Sequence, residues 1–226
     1  MLRAILFDLD GTLAYVREPV NLDEVSAYLI RNGYEVYPQA LKAALLFVSM
    51  IDYPKMGFKD IKSYYRQVLL RLGFHADEKT LARIARHYEG HMYVLYPDAE
   101  KALVMAKQMG LKTAIVTSIA KFWFEDAVRP VERYLDVIMT GYEAGCEKSN
   151  PRMYERTLKL LDVRPSETVM VGDDLDLDII LPKKLGMSAI LLNRSGTHEE
   201  SPYPDAIVRN LVEAMEIVRS WINAER

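Results

Sequence analysis

Acidic, hydroxyl and amino side chains recur at four points of this chain, each closely following a short apolar run. Ala4-Ile5-Leu6-Phe7 leads into Asp8-Leu9-Asp10-Gly11-Thr12, and Thr113-Ala114-Ile115-Val116 leads into Thr117-Ser118. Val169-Met170-Val171 leads into Gly172-Asp173-Asp174, with Asp176 and Asp178 close behind. Lys148 lies in the loop after Val137-Ile138-Met139, just before a helix expected to start near Pro151. Carboxylates gathered at one edge repel, and two of them at 4 Å cost roughly 4 kcal/mol at an effective dielectric of about 20. Either some are protonated or a hard divalent cation sits among them. An oxygen-rich set with few fixed protein ligands suits Mg2+, which keeps waters and also grips substrate phosphate. Asp8 could then attack phosphorus as a carboxylate nucleophile. Asp10 could serve the leaving oxygen as acid and then as base. Thr117 and nearby backbone N–H groups would hold phosphoryl oxygens, and Lys148 would balance the accumulated negative charge.

The elements that must position these residues are legible as alternation. The four runs above, with Ala189-Ile190-Leu191-Leu192, are nearly continuous apolar stretches of strand length. Such runs suit strands buried on both faces, hence a parallel sheet. Helical patterns fall between the later runs, around Ala99–Met109, Pro151–Leu161 and Asp176–Leu185, with a last one near Leu211–Ile222. Strand alternating with helix predicts an α/β fold with a doubly wound, Rossmann-like parallel sheet. Ligands bind beyond the carboxyl ends of the strands in such sheets, where the four clusters fall.

The interval from about residue 20 to 93 is different. It shows amphipathic helices and no convincing strand: Ile61, Tyr65, Val68, Leu69 and Leu72 share one face, and Leu81, Ile84, Tyr88 and Met92 another. Breaks are expected at Gly33, Tyr53-Pro54 and Gly73. The expected division is a catalytic core of residues 1–16 and 95–226 and an all-helical cap of residues 17–94. Linkers are placed near Ala14–Pro19 and Tyr93–Pro97.

Composition excludes several classes. The 226 residues are half hydrophobic, with 29 Lys+Arg against 32 Asp+Glu and a net charge of −3. That balance excludes a disordered chain and gives no support to nucleic acid as a partner. A single cysteine, Cys146, excludes an intrachain disulfide framework. No apolar run approaches the ~20 residues that span a bilayer, and the apolar part of Met1–Phe7 is short for a signal peptide. The expectation is a cytoplasmic protein without a membrane partner; no feature specifies an oligomeric state.

The set Asp8-Leu9-Asp10-Gly11-Thr12-Leu13, Thr117, Lys148 and Gly172-Asp173-Asp174 with Asp178 resembles the four motifs of the haloacid dehalogenase superfamily of hydrolases. The match covers nearly the whole chain. The resemblance implies a Rossmann-like core, a helical cap between motifs one and two, and Mg2+. It assigns the nucleophile to Asp8 and acid/base work to Asp10. Metal binding falls to Asp8, the Asp10 backbone carbonyl and Asp173, with Asp174 and Asp178 as outer or water-mediated ligands. Members that displace halide typically lack the second aspartate, so Asp10 points to phosphatase or phosphotransferase chemistry. Two local departures exist: Ser118-Ile119 stands where Asn or Asp often follows the second motif. Glu147-Lys148-Ser149-Asn150-Pro151 replaces a common Gly-Lys-Pro-Asp-Pro.

The expected activity is Mg2+-dependent hydrolysis of a small phosphorylated metabolite through a phospho-Asp8 intermediate. A phosphomutase or phosphotransferase is the nearest alternative, then a 2-haloacid dehalogenase or a phospho-accepting signalling domain. Ser118, Tyr15 and Arg17 are placed as substrate contacts at the site mouth. Tyr64, Tyr65 and Tyr88 are read as cap core rather than a substrate platform. His75, His87, His91 and His198 show no metal-ligand pattern beyond a helical spacing of four between His87 and His91, and Cys146 is not read as a nucleophile.

Overall fold

The computed structural model describes residues 1–196 and 201–224; His198 lies outside them. The chain begins with strand β1 (Ala4–Phe7) and a short β2 (Ala14–Val16), then runs through helices α1 (Leu22–Arg31) and α2 (Pro38–Phe47). A wide-turn π stretch, Val48–Asp52, connects α2 to α3 (Tyr53–Met56), followed by α4 (Ile61–Arg71) and α5 (Glu78–His87). Next come β3 (Tyr93–Leu95), α6 (Ala99–Gln108), β4 (Lys112–Val116), α7 (Lys121–Val128), β5 (Val137–Met139), α8 (Gly141–Ala144) and α9 (Arg152–Leu161). The chain closes with β6 (Thr168–Gly172), α10 (Leu181–Lys184), β7 (Ser188–Leu192), β8 (Ala206–Val208) and α11 (Leu211–Ala224).

Six strands form one parallel sheet in the order β5-β4-β1-β6-β7-β8. Its alternating side chains fill two cores. Ile5, Phe7, Val169 and Val171 pack under α6 and α11 on one face, while Ala4, Leu6 and Met170 meet α9 on the other. Burial on both faces is why these strands read as unbroken apolar runs. β1 is central, with β4 on one side and β6 on the other. The chain leaves β1 towards β4 and β5, then returns across β1 to β6, so the strand order reverses at β1. The carboxyl edge at such a reversal opens into a crevice.

Helices α1 to α5 gather around Val25, Leu29, Leu41, Tyr65, Val68, Leu69, Leu81 and Ile84. Side-chain caps start three of them: Asn21 accepts from the Asp23 amide, Asp60 from Ser63 and Asp77 from Thr80. This apolar cluster is closed by Ala120 and Phe122, which arrive from the sheet side at the start of α7. The two connections between the sheet and these helices pair as an antiparallel ribbon, Ala14↔Leu95 to Val16↔Tyr93.

The structure corrects the element reading in several places. Tyr53-Pro54 does not break the helix. The preceding π turn lets the Tyr53 amide reach Val48 O, and this wider turn accommodates the proline ring and its missing donor. The helix stops instead at Gly57, whose amide donates to Tyr53 O at 2.9 Å. α5 ends at His87, so Met92 lies beyond it. The stretch expected as helix from Asp176 is a π segment, Leu175–Ile180, that runs into α10. α7 and β8 carry no clear period. Phe122 of α7 faces the helical insert and Phe124 the sheet core, which erases a single apolar stripe.

Buried Asp52, at the end of the π turn, accepts from Gln67 Nε2 and Arg71 Nε, both at 2.8 Å. Bonding to the Arg71 guanidinium holds its carboxyl below the ordinary 3.8. A depressed folded value means the contribution is complete above 3.8 and disappears as pH falls through the folded value. Asp52→Asn should lower stability at pH 7 by about 1–2 kcal/mol in urea unfolding. The difference from the parent protein should shrink below pH 4.

Candidate active site

Asp8 extends β1 by one residue, its amide donating to Val171 O at 2.9 Å, and its side chain is buried at the carboxyl edge. Lys148, 4% exposed, lies beneath it and donates to Asp8 Oδ1. The same ammonium lies 2.6 Å from Asp178 Oδ1, and Asp178 is completely buried. One cation therefore joins two carboxylates that come from opposite ends of the sequence. The loop carrying Lys148 is fixed by its backbone amide, which donates to Ser118 Oγ at 3.1 Å.

Asp173 completes the cluster. Ligand oxygens of Asp8, Asp173 and Asp178 all lie within 4.8 Å of one another. Thr12 Oγ1 donates to Asp173 Oδ1 at 3.3 Å. Two glycines make room for this crowding. A Cβ on Gly11, whose φ is +76°, would lie 2.2 Å from Asp173 Oδ2, and one on Gly172 would lie 2.2 Å from Asp178 Oδ2. Each φ-permissive or close-approach position admits a carboxylate only because no side chain is there.

The electrostatics follow from burial. Loss of water pushes the Asp8 carboxyl up; Lys148 opposes this and Asp173 adds to it. Asp173 is raised by burial and by Asp178, and Asp178 by burial despite Lys148. Burial disfavours the Lys148 ammonium, but Asp178 and Asp8 outweigh it and hold its pKa well above the ordinary value. Three hard oxygen donors beside a single lysine make a group that could hold a divalent cation.

Asp10 sits apart from the cluster, on the wall of a cavity between the sheet edge and the helices. Its carboxyl is raised by burial, with the Tyr93 hydroxyl and the Gly11 amide pulling it back in part. Thr117 follows β4 and is buried, its hydroxyl accepting from the Ile119 amide at 3.2 Å. Ser118 and Tyr15 line the cavity. Arg17 is exposed and does not. Asp174 is exposed and turned into its own chain, accepting from the Asp176 and Leu177 amides at 2.9 and 2.8 Å. Asp178, placed by the resemblance among outer or water-mediated ligands, is completely buried and paired with Lys148 beside Asp8.

Tyr65 is core, but Tyr64 and Tyr88 turn a face to the cavity as well as packing in the insert. Tyr93, Tyr96, Trp123, Glu147 and His91 also line it, and none of them is a site residue expected from the sequence. Arg194 is a further omission. It donates to Thr12 O and both oxygens of Asp98, and stacks 3.9 Å over Tyr96. It follows β7 by two residues, so the rule of reading strand ends would have found it. His91 Nδ1 lies 2.6 Å from Glu18 O, and burial pushes the Cys146 thiol up. Neither joins the cluster.

A model of the haloacid dehalogenase-like hydrolase family matches residues 2–186. The chain belongs to this family. A glyceraldehyde 3-phosphate phosphatase of Methanopyrus kandleri is 28% identical over 232 residues, covering 97% of this chain and 98% of that one. A ribulose-1,5-bisphosphate 5-phosphatase of Halopiger xanaduensis is 29% identical, with 94% and 92% covered. The crystal structure of a phosphatase of this family from Thermococcus onnurineus superposes with a TM-score of 0.69 at 26% identity, covering 96% and 98%. An L-2-haloacid dehalogenase of Xanthobacter autotrophicus shares the fold, with a TM-score of 0.62 at 24% identity over 97% and 99%. The expected superfamily and the α/β fold with its helical cap are thus both met, and the chain is a hydrolase of this family.

Replacing Lys148 tests the charge balance directly. Lys148→Met should leave Asp8 and Asp178 buried without their cation. The metal-free protein should lose about 3–5 kcal/mol of stability in urea unfolding. Unchanged stability would show that the carboxylates do not need it.

Proposed function

We propose that this hydrolase is a Mg2+-dependent phosphatase that removes a phosphoryl group from a small phosphorylated metabolite through phospho-Asp8. The observation that carries the reading is Asp8 pinned by Lys148 among Asp173 and Asp178, with Asp10 on the adjoining cavity wall. The names of the two curated relatives support the phosphatase class.

The donor set fits Mg2+: the Asp8 and Asp173 carboxylates supply hard oxygens, and Gly11 leaves the space beside Asp173 free of a side chain. Asp8, the Asp10 backbone carbonyl and Asp173 would hold the ion. When bound, it supplies positive charge that offsets the carboxylates and the oxygens of the substrate phosphate. Asp178 stays with Lys148.

Lys148 orients the Asp8 carboxylate so that its other oxygen can attack phosphorus. A bond from Asp8 to phosphorus forms as the bond from phosphorus to the leaving oxygen breaks. Asp10 gives its proton to that oxygen. Its raised carboxyl favours the protonated form needed for the first step. Water then attacks the phosphorus of phospho-Asp8, Asp10 takes a proton from that water, and the bond from phosphorus to Asp8 breaks to release phosphate and free Asp8. Thr117 and backbone amides at the strand ends are assigned to the phosphoryl oxygens.

Two substitutions separate the roles. Asp8→Asn should cut kcat/KM by on the order of 10³-fold or more on every ester. Asp10→Asn should cost about 10²-fold on alkyl phosphates and much less on p-nitrophenyl phosphate, whose leaving group needs no acid. Normal phosphate release by Asp8→Asn overturns the reading.

A further inference from the structure

The cavity beside Asp10 has a volume of about 700 Å3, ample for a drug-sized ligand. Its walls are aromatic. Tyr15 and Tyr96 lie with ring centroids 4.5 Å apart, and Trp123 lies 5.0 Å from Tyr88 and 5.8 Å from Tyr64. Four of the wall hydroxyls that a sugar would seek are engaged by the protein. Tyr64 Oη donates to Leu45 O at 2.9 Å and lies 2.7 Å from Ser49 Oγ. Tyr88 is bonded to Tyr65, Tyr53 to Thr140 Oγ1 at 2.7 Å, and Tyr93 to Asp10. What these side chains offer a ligand is their ring faces.

The charge of the lining points the same way. No lysine or arginine among the described residues lines the cavity; its basic side chain is His91, and its carboxyl groups are Asp10 and Glu147. A second phosphate on the substrate would be desolvated here against rings and two carboxyls, with no lysine or arginine to pair with, which is strongly unfavourable. Hydroxyl-rich leaving groups would lose water where four wall hydroxyls are already engaged, leaving chiefly Glu147, His91 and the Tyr15 and Tyr96 hydroxyls to replace it. A flat apolar body would cover ring faces and release water.

We propose that this cavity receives the leaving group of a phosphomonoester bearing one phosphate and a bulky, uncharged, ring-containing apolar body, and disfavours polyhydroxylated and doubly phosphorylated esters. The proposal rests on the phosphatase reading and narrows its substrate class. It sets the expected substrate apart from the sugar phosphates in the names of the two relatives.

The test compares kcat/KM of the whole protein with Mg2+ on 2-phenylethyl phosphate, glycerol 3-phosphate and fructose 1,6-bisphosphate, all esters of primary alcohols. 2-Phenylethyl phosphate should lead both others by on the order of tenfold or more. Trp123→Ala should shrink that ratio. Met50→Lys, at a cavity position 52% exposed and tolerant of change, should raise the bisphosphate relative to 2-phenylethyl phosphate. Equal or better turnover of the hydroxylated or doubly phosphorylated esters, with release still dependent on Asp8, overturns the proposal and leaves the phosphatase reading intact. No release from any of these or from p-nitrophenyl phosphate overturns both.

Discussion

Like charges held together in a place with little water must be compensated, and the carboxyl edge of this sheet is organised around that requirement. Asp8, Asp173 and Asp178 converge within a few ångströms, and Lys148 is the cation that joins two of them. Two carboxylates at 4 Å repel by roughly 4 kcal/mol at an effective dielectric of about 20. One lysine offsets part of this for three acids. The remainder is a standing preference for a further cation, and for a substrate that brings its charge with one. The same imbalance ties stability to function: the arrangement that strains the metal-free protein is the arrangement a phosphoryl group needs.

The backbone makes the crowding geometrically feasible. β1 is central, so Asp8 emerges where neighbours on both sides, β4 and β6, end at matching levels. Gly11 and Gly172 remove the two Cβ atoms that would otherwise collide with Asp173 and Asp178. Arg194 then ties the Thr12 carbonyl to Asp98 and to the ring of Tyr96. It links the first acidic loop to the second connection of the helical insert. The wall of the cavity is therefore coupled to the loop that holds Asp8 and Asp10.

Much of this was legible in the sequence because the sheet is buried on both faces. Unbroken runs such as Ala4–Phe7 mark the strands, and the residues after them mark the site. Asp8, Asp173 and Lys148 were found that way. What was not legible depends on side-chain direction or tertiary context. Nothing in the spacing distinguishes Asp174, which caps its own turn, from Asp178, which points into the cluster. The π turn before Pro54 is invisible to a 3.6-residue period, and α7 hides because its aromatic residues serve two cores at once. The cavity wall was missed for a related reason. Tyr64 and Tyr88 satisfy an amphipathic pattern as core residues while also showing a face to the ligand space.

The charge imbalance at the sheet edge is tested most directly by thermal unfolding against Mg2+ concentration, at constant ionic strength. A cation that binds only the folded site at a hundredfold over its Kd adds about 2.7 kcal/mol. For a chain of this size that amounts to a rise of roughly 5–10 °C in Tm. The rise should be absent with Na+ and should be largely lost in Asp173→Asn, which removes one of the three donors. A Tm that ignores Mg2+, or that rises equally in Asp173→Asn, would contradict the account.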